Sequence, residues 1–300
     1  MPLDDTGKAS FDHVYTEPDP RPYFRALHAL SYQLPQLAKP YFARLLDEYR
    51  AATGNADPTV LDVGCSYGVN AVLYRCDASM DKLHAHYADP AAQDLDRDAL
   101  LARDRALLRD RDRDGDGGVR FVGLDTSAPA VRYAREAGFL DDAVAADLER
   151  DPPDADQSAR LGRADLVIST GCLGYVTEAT IARLAGLRAE RRPWMAHFVL
   201  RMFSYTSIAE RLASLGYETV GVPGVFRQRR FASAEERDSI LASLRAAGVD
   251  PSGVETEGWL CAELHVSLPR GADRSAAELA TALGGVAEQS VSVDRYQGQP

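Results

Sequence analysis

Short apolar runs alternate with helix-spaced patterns along most of this chain. Residues 60–63, 119–125, 143–148, 164–170, 194–203 and 259–269 each read as a strand, being brief, apolar and bounded by turn residues. Between several of them, APAVRYAREAG, TEATIARLAGLRAE and SIAERLASLG repeat their apolar positions at three and four, the helical spacing. Strands separated by helices predict a mainly parallel sheet covered on both faces, because a parallel neighbour needs a crossover. Past residue 217 the alternation changes. A strand at 219–231 and a helix at 232–248 precede the last run, which is expected to return antiparallel.

The flanks differ from this α/β centre at 55–270. Residues 11–50 hold eight aromatic residues broken by Pro18, Pro20, Pro22, Pro35 and Pro40, which predicts short helices packed on something else, a cap over residues 1–54. Pro40 is placed near the start of a helix continuing through YFARLLDEYRAAT. An insertion at about 77–118 is dense in Asp and Arg. Its Leu100, Leu101, Leu107 and Leu108 form one stripe with charges opposite, the pattern of a solvated surface helix. Residues 271–300 are small and polar and are expected to form a flexible tail.

At 300 residues and 45% hydrophobic composition the chain can bury a full core, which excludes a disordered protein. Its net charge of −11 repels phosphate backbones and anionic lipid, so nucleic acid and membrane surfaces are poor partners and a small-molecule substrate is the better expectation. The four cysteines, Cys65, Cys76, Cys172 and Cys261, form no C-x-x-C pair, and the N-terminus is polar. Both point to a cytoplasmic protein with reduced thiols, with a homodimer possible.

The turn Asp62-Val63-Gly64-Cys65-Ser66-Tyr67-Gly68 follows the first strand, and Asp125 closes the second. Glycines at a strand-to-helix turn let the backbone approach a ligand, and the helix N-terminus offers free amides to a carboxylate. An acid at the tip of the next strand is placed to accept from both hydroxyls of a ribose. Asp147, beside Leu148 at the third tip, is placed to accept from an adenine amino group. Together these parts describe a nucleoside site at the carboxyl ends of parallel strands.

In that order, VLDVGCSYG, GLDTS, AADLER and ADLVISTGCLGYV resemble the motifs of class I methyltransferases that use S-adenosylmethionine. The resemblance spans 55–270 and implies a Rossmann-like, mainly parallel seven-stranded sheet with helices on both faces and an N-terminal helical lid. Carried over residue by residue, it implies that Asp62 orders water or the amino group of the methionine part, and that Gly64, Cys65, Ser66 and Gly68 pass along it. Asp125 would hold the ribose, Thr126 and Leu148 would flank adenine, Asp147 would bind its amino group, and Ser169, Thr170 and Gly171 would border the sulfonium. Two features depart from the family: Ser66 stands where many members have glycine, and Asp125 follows Gly64 by 61 residues, far more than a bare βαβ unit of about 30 residues allows.

Loops after the fourth and fifth strands are where such a sheet places its substrate. Tyr175 and His197 are the candidates for orienting or deprotonating the acceptor, and Ser204 and Tyr205 for contacting it. Tyr15, Tyr23, Phe24 and Tyr32 would lie over the opening, where aromatic faces suit a sulfonium cation. The expected reaction is methyl transfer to an N or O nucleophile of a small molecule. Alternatives that keep the cofactor are its cyclisation to azetidine-2-carboxylate with release of methylthioadenosine, and non-catalytic sensing.

Gly64-Cys65-Ser66-Tyr67-Gly68 also fits the G-x-S-x-G elbow of a serine hydrolase, with Ser66 as nucleophile and His197 or His265 downstream. An elbow usually follows several strands, and here one precedes it. Nicotinamide binding lacks its G-x-G-x-x-G pattern, since position 66 is serine. Asp110 to Gly115 imitates the start of a calcium loop, but the twelfth position is Phe121. His84 and His86 face apart on a helix, so no metal is expected.

Overall fold

The computed structural model describes residues 3–109 and 118–296. Three helices lead the chain: α1 (Asp12–Tyr15), α2 (Arg21–His28) and α3 (Leu34–Thr53). Strand β1 (Thr59–Val63) follows, then α4 (Val69–Arg75), and the insertion supplies α5 (Met80–Ala88), α6 (Pro90–Gln93) and α7 (Arg97–Arg109). The centre continues as β2 (Arg120–Asp125), α8 (Ala128–Glu136), β3 (Asp142–Ala145), α9 (Ala155–Leu161), β4 (Leu166–Thr170), α10 (Glu178–Gly186), β5 (Trp194–Leu200) and α11 (Thr206–Ser214). Strand β6 (Tyr217–Arg230), α12 (Ala234–Ala246), β7 (Trp259–Pro269) and α13 (Ala276–Tyr296) complete it.

The seven strands lie in the order β3-β2-β1-β4-β5-β7-β6. Pairings from β3 across to β5 are parallel, while β7 runs antiparallel to both β5 and β6. This is the α/β, mainly parallel arrangement the sequence pattern predicts. The order reverses at β1, so β2 and β4 leave its carboxyl end on opposite sides and open a crevice there. Alternation along the strands feeds two cores. Val60, Phe121, Ile168 and Phe198 pack with α3, α12 and α13, whereas Leu61, Val122, Val167 and Met195 pack with α9, α10 and α11.

A third apolar cluster joins segments distant in sequence. Phe11, Tyr23 and Phe24 of the N-terminal segment pack with Leu73 of α4, Leu83 and Tyr87 of α5, and Leu100 and Leu101 of α7. Phe24 stacks on Tyr87 with centroids 4.6 Å apart. The insertion is therefore the floor on which the cap rests, and α7 is not simply a solvated helix. In the same stripe as its leucines, Asp104 is fully buried and accepts hydrogen bonds from the hydroxyls of Tyr87 (2.9 Å) and Tyr133 (2.7 Å), with His86 Nε2 at 2.7 Å.

Two boundaries differ from the sequence reading. Helix α3 starts at Leu34 with Pro35 in its first turn, so Pro40 lies inside the helix. The start is set by Pro35, whose missing N–H costs nothing there. At the C-terminal end, where a flexible tail was expected, residues 276–283 are helical, with Ala276, Leu279 and Leu283 buried in the α3-facing core. Their spacing of three and four is the apolar stripe of a docked helix. The acidic-basic run Asp110 to Gly115 lies outside the described residues. Among those described, no helix is long and apolar enough to cross a membrane.

Candidate functional site

A cavity of about 660 Å³ opens over the carboxyl ends of β1, β2, β3 and β4, roofed by the N-terminal segment. Its floor is the turn after β1. Gly64 has φ +69°, and a Cβ there would lie 2.6 Å from Cys172 Cβ, so only glycine lets the two loops meet. Ser66 also adopts a left-handed φ, +49°. Many members of the resembled family carry glycine at this position, and the backbone shows why: an L-residue here costs about 1 kcal/mol, and such strain is typically held at ligand-contacting loops.

The geometry around this turn joins the two acids. Asp125 at the tip of β2 accepts from the backbone N–H of Ser66 (2.8 Å) and of Ser127 (2.9 Å). Burial raises its pKa, partly offset by those amides. The Thr126 amide also favours the carboxylate, and of its roughly four acceptor positions about one or two remain for hydroxyl donors from a ligand. Asp62 is wholly buried beneath the turn and accepts from Asn70 Nδ2 at 3.0 Å; the same amide donates to Thr170 Oγ1 at 3.1 Å. Burial pushes the Asp62 carboxyl up to about 7. Asp62 Oδ2, Asn70 Oδ1 and Ser66 Oγ are buried without a hydrogen-bond partner. A carboxylate oxygen, an amide oxygen and a hydroxyl left unsatisfied on this turn and its flanking elements suit a polar ligand group, since such atoms are normally satisfied.

Most of the expected binding residues meet in this cavity. Gly64, Cys65, Ser66, Asp125 and Thr126 line it, as do Asp147, Leu148, Thr170 and Gly171. Of the aromatic residues, Tyr15, Tyr23, Tyr32 and Tyr175 line it too. Asp62 is connected to the wall through Asn70, and Gly68 caps α4 with φ +75° behind it.

Others lie elsewhere. His197 sits in the middle of β5 opposite His265 of β7, fully buried, with Nδ1 2.8 Å from Ser169 Oγ. Burial pulls it down to about 3, and neither it nor Ser169 lines the cavity. In a strand whose two faces are both covered, every position is core. Tyr205 stacks on His265 at 4.5 Å, Ser204 Oγ accepts from the Thr206 amide at 3.1 Å, and Phe24 belongs to the cap cluster; none of these three lines the cavity. His84 stacks on His28 at 3.4 Å.

Sequence reasoning missed several wall residues. Asn70 is a lone amide in the apolar run VNAVL, a readable signal. Lys8, Gln228 and Arg229 come from segments whose approach no local pattern announces.

No protein-family model and no curated protein matches the chain. Among solved structures, it is similar to a TehB-like SAM-dependent methyltransferase from Corynebacterium glutamicum, at 13% identity and a TM-score of 0.33 over 73% of this chain and 84% of that one. It is similar to magnesium protoporphyrin IX methyltransferase from Synechocystis at 12% identity and a TM-score of 0.37, covering 78% and 81% respectively. For the plantazolicin methyltransferase BpumL in complex with SAH the values are 11%, 0.35, 85% and 92%.

Proposed function

We propose that the cavity binds S-adenosylmethionine and that the protein transfers its methyl group to a small molecule. The observation that carries this reading is a strained turn whose Ser66 hydroxyl is orphaned, as are oxygens of Asp62 and Asn70 on the strand and helix that flank it, beside a half-buried acid at the next strand tip. Bound there, the cofactor supplies an electrophilic methyl on a sulfonium. Asp125 would accept from the ribose hydroxyls, Asp62, Asn70 and Ser66 would hold the ammonium of the methionine part, and Asp147 and Leu148 would meet the adenine. Tyr15, Tyr23, Tyr32 and Tyr175 supply an aromatic wall that attracts a cation and limits water. Their hydroxyls need not act as bases: burial raises the pKa of Tyr175, Tyr23 and Tyr32, which keeps them neutral donors. Catalysis by this wall would be chiefly positioning.

Incubation with S-adenosylmethionine alone and then with a metabolite extract, read by mass spectrometry, tests the reading. S-adenosylhomocysteine formed only with extract is the expected result. Methylthioadenosine released without extract would replace methyl transfer by intramolecular cyclisation, and neither product would leave a binding protein without this chemistry.

A further inference from the structure

Two side chains of the cavity have no task in the nucleoside reading. Lys8 is 7% exposed, lines the cavity, and forms no ion pair among the described residues. Its ammonium lies 4.6 Å from the ring centroid of Tyr175 and 5.9 Å from that of Phe203. Gln228 of β6 is 6% exposed, lines the same cavity, and its Oε1 is buried without a partner.

The acids near Lys8 are committed elsewhere. Glu236 of α12 is bound by Arg229 at 2.6 and 3.0 Å and accepts from the amides of Ala9 (2.7 Å) and Ala232 (2.6 Å). Asp4 accepts from the amide and hydroxyl of Thr6, from the Lys8 amide and from the Tyr175 hydroxyl. Cys172 is pushed up to about 12 by burial and stays a neutral thiol, and burial likewise raises the Tyr175 phenol, which stays neutral. Burial and the Arg229 charge pull Lys8 down to about 8. An unpaired ammonium so enclosed is strongly unfavourable, and ring faces offset only part of that. Residue type adds an independent signal. The chain has three lysines against 31 arginines; Lys39 pairs with Asp77 and Lys82 is exposed. Lys8 alone is buried, where a compact charge able to lose its proton differs from a guanidinium.

We propose that Lys8 and Gln228 form the acceptor subsite, and that the molecule methylated carries a carboxylate or equivalent oxyanion held against the Lys8 ammonium. This rests on the cavity being the S-adenosylmethionine site. The test titrates benzoate and its neutral isostere benzamide into the full-length protein, with and without S-adenosylhomocysteine, by calorimetry. The native protein should prefer benzoate by roughly 10- to 100-fold, Lys8→Met should lose the preference, and Lys8→Arg should keep most of it. The bound anion favours the protonated amine, so benzoate affinity should fall as pH rises through about 8 in the native protein and not in Lys8→Met. Equal affinities for the two probes, binding of neither, or an unchanged preference in Lys8→Met overturns the proposal. Lys8→Gln replaces Lys8→Met should the latter fail to fold. Failure of S-adenosylhomocysteine to bind the native protein instead overturns the cofactor reading, and the titration without it then still judges Lys8.

Discussion

The Tyr67 hydroxyl, inside the turn that follows β1, lies 3.0 Å from the Val14 carbonyl of the N-terminal segment, with the Glu17 carbonyl at 2.9 Å. One buried side chain thus ties the floor of the cavity to its roof. Ser127 Oγ adds a second tie, donating to the Tyr15 carbonyl at 2.5 Å. The roof is fastened by the loops that would hold the nucleoside, so covering the cavity and shaping its floor are coupled.

Tyr67→Phe should loosen that roof without emptying the core, since the ring remains. We expect a loss of about 1–2 kcal/mol of stability for the missing hydroxyl. Hydrogen exchange should accelerate across residues 11–18 and stay unchanged in β1 and β4. Uniform exchange throughout would show that the tie does not hold the segment.

Asp125→Ala should weaken S-adenosylhomocysteine binding by about 1.5–3 kcal/mol, the range for hydrogen bonds to a charged group. Calorimetry on the folded variant measures this. Unchanged affinity would remove Asp125 from the ligand's contacts.

Asp62 predicts a pH dependence. Burial raises its pKa from 3.8 to about 7, so the folded state keeps a proton that the unfolded chain releases. Its contribution to stability is present below pH 3.8 and is lost as pH rises through about 7. An ammonium ligand prefers the ionised form, so affinity for S-adenosylhomocysteine should rise roughly tenfold between about pH 6 and 8. Asp62→Asn should flatten that curve; a curve of the same steepness would assign the titration to another group.

Asp104→Ala should be severe although it lies outside the cavity. It removes the shared partner of His86, Tyr87 and Tyr133, and leaving these groups unsatisfied is expected to cost about 3–5 kcal/mol. Urea unfolding gives the stability, and calorimetry on the folded fraction should show unchanged S-adenosylhomocysteine affinity. A loss of affinity matching the loss of stability would couple this cluster to the site.

The strands and the order of acids at their tips were readable because each strand is a buried apolar run ending in a turn, a purely local pattern. Position 66 was readable only as a departure, and its left-handed backbone explains the family's usual glycine. His197 was misleading because a strand covered on both faces gives a polar residue no solvent side to reveal itself. Asp104 was hidden inside a leucine stripe, where its charge looked like part of the opposite face. Lys8 and Gln228 depend on a segment at the start of the chain folding against a strand more than two hundred residues later. That contact follows from tertiary packing, for which neither periodicity nor motif spacing carries a signal.

The helices that interrupt the spacing between Gly64 and Asp125 share one apolar cluster with α2. Two stretches of chain separated by β1 therefore form a single hood, packed on α4 and α8. Shortening the insertion to restore the usual distance between those residues would not trim a loop; it would strand the aromatic front end and leave the crevice open to the sky. Exchanging the hood between proteins of this architecture would require moving both stretches together.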